Sequence, residues 1–341
     1  MSHRSRTRHV ARLEGFVALL LAFVLAFAGC ESRSAEPAPT AERSSSARAS
    51  AAPSSGEPAS AAPSVPTPVA ASAAPAEPVG AKAQPFLWEV RKGAATSWLF
   101  GTMHLGTDAE KELNPVVFER LGAARTVGFE ADVFDVDPLE MAAKMMLPPG
   151  DSVASKLTPG RWELVVARLG SFLMPESALE RMKPWVLAAM LTQDMLPKTD
   201  PMDKVLYDRA KAAKKPVVFL EAVNEQITIL EKALGVRELD DMLGDLPTME
   251  KMTKELARAY QQGDMPALLS TTFDPVEMKK HPALFDSVLF ERNRNWVPKL
   301  TAEFDKGGAF IAVGAAHLIG DKSVVALLEA KGFSLTRVAV R

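Results

Sequence analysis

The 341-residue chain has a net charge of -2, is 47% hydrophobic and contains one cysteine. Near-neutral charge without a basic stripe excludes nucleic acid as a partner. A lone cysteine excludes a disulfide framework, so a folded domain must rest on its apolar core.

The N-terminal segment carries His3, Arg4, Arg6, Arg8, His9 and Arg12, followed by an unbroken apolar run from Phe16 to Ala28. This is the layout of an export signal over 1–29. The run is shorter than the roughly 20 apolar residues a membrane-spanning helix needs. It ends at Leu25-Ala26-Phe27-Ala28-Gly29-Cys30, which resembles a bacterial lipobox, with Phe27 where leucine is commonest. The resemblance implies a lipid on Cys30 that ties the exported chain to a membrane. Glu31, where an aspartate would signal inner-membrane retention, implies the outer membrane facing the periplasm.

Residues 30–85 follow the signal and, beyond Cys30, are nearly all Ala, Pro, Ser, Glu and Thr. Such a composition cannot bury enough apolar surface to offset chain entropy, which predicts a disordered linker. It would span roughly 40 Å on average if flexible and beyond about 100 Å if extended.

Composition changes at Phe86, and 86–341 reads as a globular domain. Leu87-Trp88-Glu89-Val90, a turn near Lys92-Gly93 and Ser97-Trp98-Leu99-Phe100 predict a hairpin. Apolar runs over 126–129, 216–220 and 309–313 do not alternate, as expected of strands buried on both faces. A last strand is predicted within 333–340. Proline and capping signals place helices over 115–121, 138–146, 159–169, 184–195, 203–213, 224–234, 238–262, 282–304 and 323–331. Strands separated by helices predict an α/β fold: a central mixed, largely parallel sheet with flanking helices and a substantial helical layer or insertion. The layer is expected from 138–201 and 234–300. Methionines concentrate there, among them Met141, Met145, Met146, Met242, Met249 and Met252, and read as adaptable core filler.

Each apolar run leads into a residue capable of ligation or proton transfer. These are His104 in Gly101-Thr102-Met103-His104, Glu130, Glu221, and His317 in Gly314-Ala315-Ala316-His317. Ligands of open α/β sheets bind beyond the carboxyl ends of strands, so four such ends predict one crevice. The paired Gly-x-x-His motifs have a rationale in glycine φ freedom, which turns the chain sharply off the strand. A neutral imidazole can then reach back to hold a metal. Arg292 lies on a predicted helix with Asn295 on the same side, placed to hold a carboxylate or a developing oxyanion. The remaining histidine of the domain, His281, is expected in an exposed loop.

Several blocks in order resemble the TraB/GumN family, which is related to the Tiki metalloproteases. They are Leu87-Trp88-Glu89-Val90, Leu99-Phe100-Gly101-Thr102-Met103-His104, Phe129-Glu130-Ala131-Asp132, Lys215 to Glu221 with Gln226, Arg292-Asn293, and Val313-Gly314-Ala315-Ala316-His317-Leu318. Pro201-Met202 before Asp203 and Ser323 after the second motif depart from the family pattern. The resemblance implies a metal-dependent hydrolase with His104, Glu130 and His317 as ligands, and a peptide or protein as substrate. It favours Mn or Co, while mixed nitrogen and oxygen ligands also admit Zn or Fe. Glu221 is then either a general base or a partner that orients another site residue. The alternative is a non-catalytic binding or regulatory lipoprotein with the same fold.

Overall fold

A computed structural model describes residues 84–172 and 174–340; the signal segment, Cys30 and the linker up to residue 83 lie outside the described residues. The strands are β1 (Leu87–Lys92), β2 (Ala95–Thr102), β3 (Thr126–Phe129), β4 (Val217–Phe219), β5 (Ala309–Gly314) and β6 (Ser334–Arg337). They form one sheet in the order β4-β3-β5-β2-β1-β6. The first four of that order run parallel, and β1 pairs antiparallel with both β2 and β6. The expected mixed, largely parallel sheet is therefore present.

The β1–β2 hairpin closes with Lys92 opposite Ala95, and Gly93 takes the positive φ of 57° such a tight loop requires. Strands β3 and β5 are buried along their whole length, as their unbroken apolar runs demand. Strand β4 departs from expectation. Its three residues are only half-buried, because it pairs on one side alone and ends the sheet.

The main helices are α1 (Pro115–Ala123), α2 (Pro138–Met145), α3 (Arg161–Leu169), α4 (Pro184–Asp194), α5 (Met202–Ala212), α6 (Val223–Ala233), α7 (Val236–Gly244), α8 (Leu246–Gln261), α9 (Met265–Thr272), α10 (Glu291–Lys306) and α11 (Val324–Glu329). The helix expected over 238–262 is two helices, α7 and α8. The chain leaves helical geometry at Asp245 (φ -142°, ψ 47°), two residues before Pro247. Proline fits the first turn of a new helix and not the middle of an old one. The span 282–304 is likewise not uniform: Pro282–Phe285 passes through a π-helical turn at Asp286–Phe290 into α10.

Helix α4 is buried from Trp185 through Thr192, and α3, α6 and α7 pack on it. A helix apolar on every side belongs inside a layer, not at its surface. Helix α8 anchors this layer to the sheet, since Tyr260 donates to the Gly101 carbonyl at 2.8 Å and stacks on Phe86. Helix α10 packs on β1, β2 and β5. Met141, Met242 and Met249 are buried, and Met145, Met146 and Met252 half-buried, in keeping with their reading as filler. His281 corrects its expectation: it is half-buried at the junction of the short helices Pro275–Lys280 and Pro282–Phe285, not in an exposed loop.

Candidate functional site

Because β4, β3, β5 and β2 are neighbours and parallel, their carboxyl ends share one sheet edge. Glu221, Glu130, His317 and His104 follow those ends in that spatial order. All four side chains are buried, as is Arg292 arriving from α10.

The two Gly-x-x-His motifs lie side by side, with Gly101 opposite Val313 and Thr102 opposite Gly314. Their glycines serve a purpose different from the φ freedom expected of them. Gly314 sits at φ -53°, ψ 136°, which most residues adopt, and Gly101 shows no positive φ either. What both positions lack is room. A Cβ on Gly101 would lie 3.0 Å from Ala315 Cα and 3.1 Å from Phe86 Cβ. A Cβ on Gly314 would lie 3.1 Å from His104 Nε2, 3.4 Å from Glu130 Oε1 and 3.6 Å from His317 Cδ2. One motif's glycine thus packs on the other motif, and the three expected ligand side chains gather around the second glycine.

Each imidazole is oriented through Nδ1. His104 Nδ1 pairs with Asp203 Oδ2, and Asp203 is itself fixed by Thr102 Oγ1 at 3.0 Å. His317 Nδ1 lies 2.6 Å from Asn293 Oδ1, while Asn293 Nδ2 donates to the Lys322 carbonyl at 2.9 Å. That second bond sets the Asn293 amide so that its oxygen faces the ring, making His317 Nδ1 the donor and leaving Nε2 a lone pair. Glu130 accepts from the Gly314 backbone N–H at 2.6 Å through Oε1.

Arg292 joins these groups. Its guanidinium donates to Glu130 Oε2 at 2.5 Å, to Glu221 Oε1 at 2.6 Å and to the Val288 carbonyl at 3.1 Å. It also stands 3.3 Å from His317 Nε2. Trp296 Nε1 donates to Glu221 Oε2 at 2.9 Å, so both Glu221 oxygens are engaged. Of the stretch 291–294, Arg292 and Asn293 point inward while Glu291 and Arg294 are exposed. Asn295, expected to share the Arg292 face, is exposed.

Burial pushes the Glu130 carboxyl up to about 7, and the Arg292 charge pulls against that rise. Burial, reinforced by the Arg292 and His104 charges, holds His317 well below 6.5 and therefore neutral. For His104 burial opposes protonation, but the Asp203 carboxylate outweighs it and the pKa rises.

These directions have opposite consequences for stability. Glu130 and His104 hold protons in the fold that the unfolded chain gives up. Their contributions are present below 4.5 and 6.5 respectively and lost as pH rises through the folded values. His317 refuses a proton that the unfolded chain accepts below 6.5, so its contribution is lost as pH falls. Urea unfolding from about pH 7 to about pH 5 should show wild type losing stability relative to His317→Gln, by at most about 1.4 kcal/mol per pH unit. Parallel pH profiles would contradict a buried neutral His317.

Among the described residues no group of three or more His, Cys, Asp or Glu is spaced to hold a metal ion, and no helix is long and apolar enough to cross a membrane. The expected site residues His104, Glu130, His317, Glu221 and Arg292 do meet in one cluster. Sequence reasoning gave no role to Asp203 and Asn293, whose links to the histidines cross 99 and 24 residues. Asn293 had one signal in its place beside Arg292 in the motif blocks; Asp203 had its place in the family pattern after Pro201-Met202 and at the head of a helix.

Fold and site together define an α/β domain with a buried His-His-Glu-Arg cluster at the carboxyl edge of its sheet. Residues 86–337 match the TraB/PrgY/gumN family, and the chain belongs to it. No curated protein and no solved structure matches the chain.

Proposed function

We propose that the domain is a metal-dependent hydrolase acting on an extracytoplasmic peptide or protein, tethered to the outer membrane by a lipid on Cys30. The observation that carries the catalytic part is the gathering of His104 Nε2, Glu130 Oε1 and His317 around Gly314, with both Nδ1 atoms engaged elsewhere. Two imidazoles oriented by Asp203 and Asn293, plus a carboxylate, are the donor types of a catalytic metal site. A divalent ion held by His104, Glu130 and His317, with Mn or Co favoured and Zn or Fe compatible, would acidify water and polarise a carbonyl. Arg292 stands between Glu130 and His317, so metal loading must displace at least one of its hydrogen bonds.

The chain's own groups have separable tasks. Asp203 and Asn293 hold the rings. Glu221, with both oxygens occupied by Arg292 and Trp296, positions the guanidinium and is not free to act as a base. Arg292 supplies a fixed positive charge beside the place where an oxyanion would develop.

Full-length protein purified without chelator should retain about one equivalent of Mn, Co, Zn or Fe, and His104→Ala should lose it. Absence of bound metal together with absence of metal-stimulated cleavage across a peptide library would falsify the hydrolase reading. For the anchor, mass spectrometry should find acyl groups on Cys30, and Cys30→Ser should move the protein from membrane to soluble fractions. An unmodified Cys30 in the mature protein sinks that part alone.

A second reading is a non-catalytic binding or regulatory lipoprotein. Its support is the charge balance of the cluster, in which Arg292 already pairs with Glu130 and Glu221. Metal-dependent turnover that disappears in His317→Ala removes it.

A further inference from the structure

The void that His104, His317, Arg292 and Gln226 enclose is about 30 Å³, room for one or two water molecules. A larger ligand must therefore meet the site from outside. Arg292 and Ile229 line that void and also a second, open groove of about 620 Å³. This volume is that of a ligand cleft. Its floor is Leu220, Glu221, Arg292 and Trp296, so a molecule lying in it rests against the buried cluster.

The walls of the groove are helical. Ser287, Glu291, Asn295 and Lys299 recur every fourth residue from the π-helical turn along α10 and form one wall. Asn224, Glu225 and Thr228 of α6 form the other. From Ser287 to Lys299 the stripe runs about 18 Å at helical rise, the length of about five residues of extended chain. Asn224 and Asn295 are exposed on opposite walls, and each side-chain amide offers both a donor and an acceptor, the pair that a peptide backbone matches. Lys299 donates to the Leu220 carbonyl at 2.8 Å, just past the edge strand β4. A cation there blunts the edge, so side chains and not an added strand meet the ligand.

The fixed charges of the groove favour a cation. Arg292 is already held by Glu130 and Glu221, and Lys299 by the Leu220 carbonyl, so an acidic ligand would find both cations engaged. Glu291 is exposed on one wall. Glu225 is exposed on the other, where one of its oxygens caps α6 at the Ala222 N–H. We infer that this groove is the substrate cleft of the site: it holds about five residues of extended peptide, and Glu225 and Glu291 receive a basic side chain of that peptide. Calling the peptide a substrate rests on the hydrolase reading; the fit of an extended basic chain does not.

The test uses full-length protein and pentapeptide amides carrying a neutral N-terminal dye, followed by fluorescence anisotropy. Ala-Lys-Ala-Lys-Ala should bind saturably and about tenfold tighter than Ala-Glu-Ala-Glu-Ala. Raising salt from about 50 mM to about 500 mM should erase most of that difference, because the two carboxylates are exposed. The double variant Glu225→Gln, Glu291→Gln, in which glutamine keeps the cap of α6, should bring the two peptides to within about twofold of each other. Asn295 is exposed, so Asn295→Trp should leave the fold intact and, by filling the groove, block both peptides. Equal binding of the two peptides by wild type, selectivity retained in the double variant, or binding indifferent to Asn295→Trp overturns the groove. Spermidine, a polycation without a peptide backbone, should need at least about tenfold higher concentration than unlabelled Ala-Lys-Ala-Lys-Ala to displace the dye-labelled peptide; equal potency overturns the peptide as occupant. Turnover assays separate the two ideas. Charge-selective binding without cleavage of any peptide supports the groove and sinks the hydrolase reading, whereas cleavage indifferent to basic side chains does the reverse.

Discussion

Arg292→Met should destabilise the domain by about 3–5 kcal/mol, the range for removing one partner from a buried ion cluster. Arg292 is 5% exposed and lies between Glu130 at 3% and Glu221 at 9%. Taking the guanidinium away leaves Glu221 without its cation and pushes the Glu130 carboxyl, already up to about 7 by burial, to take up a proton in a site with little water. Methionine matches much of the lost volume, so the loss reports charge and hydrogen bonding more than a cavity. Converting both carboxylates as well, in Arg292→Met, Glu130→Gln, Glu221→Gln, should restore a large share, because the unpaired charges go with the cation. Arg292→Lys should not restore it, since one ammonium cannot reproduce the fork that meets Glu130, Glu221 and the Val288 carbonyl together. Urea unfolding of the four proteins decides the matter. Wild-type stability in Arg292→Met would mean that the cluster carries no net electrostatic load.

The parts of this fold legible in the sequence are those governed by local rules. Val127, Phe129, Phe310 and Ile311 sit in short runs without polar alternation, and that pattern is what a strand covered on both faces requires. Strand β4 has the same kind of run, yet its exposure depends on having a neighbour on one side only, which no local pattern encodes. The α7–α8 boundary is hidden because Leu239, Met242, Leu246 and Met249 continue a helical apolar period across Asp245. Only Pro247 marks the restart, and proline is equally at home early in a helix.

The site divides along the same line. His104, Glu130, Glu221 and His317 were legible because each follows a strand, and parallel neighbours bring their ends together automatically. The contacts that set their chemistry were not. The Asp203 bond to His104 depends on how α5 returns to the sheet, and the Arg292 bond to Glu130 joins residues 162 apart. The motif glycines were legible as important and misread as to cause. Their role is proximity to a side chain that arrives from the neighbouring strand, a distance that spacing along the chain does not contain.

That proximity makes Gly314→Ala the sharpest probe of the site. At φ -53° and ψ 136° alanine is unstrained, so the backbone should accept it, and the added methyl should cost about 1 kcal/mol, the low end for overpacking. Its neighbours, however, are His104 Nε2 at 3.1 Å, Glu130 Oε1 at 3.4 Å and His317 at 3.6 Å. The methyl lands against all three groups, and displacing reacting groups by about one ångström costs about 10²-fold in rate. Metal retention and peptide turnover should therefore fall together, turnover by about that factor, while the melting transition drops by only about 2–4 °C. Gly122→Ala is the matched control: it lies in α1 with nothing within 4 Å of the new Cβ, and should raise stability by roughly 0.5–1 kcal/mol without touching the site. If Gly314→Ala binds metal and turns over substrate as well as Gly122→Ala does, the histidines and Glu130 do not act on a common centre, and the catalytic reading loses its geometric basis.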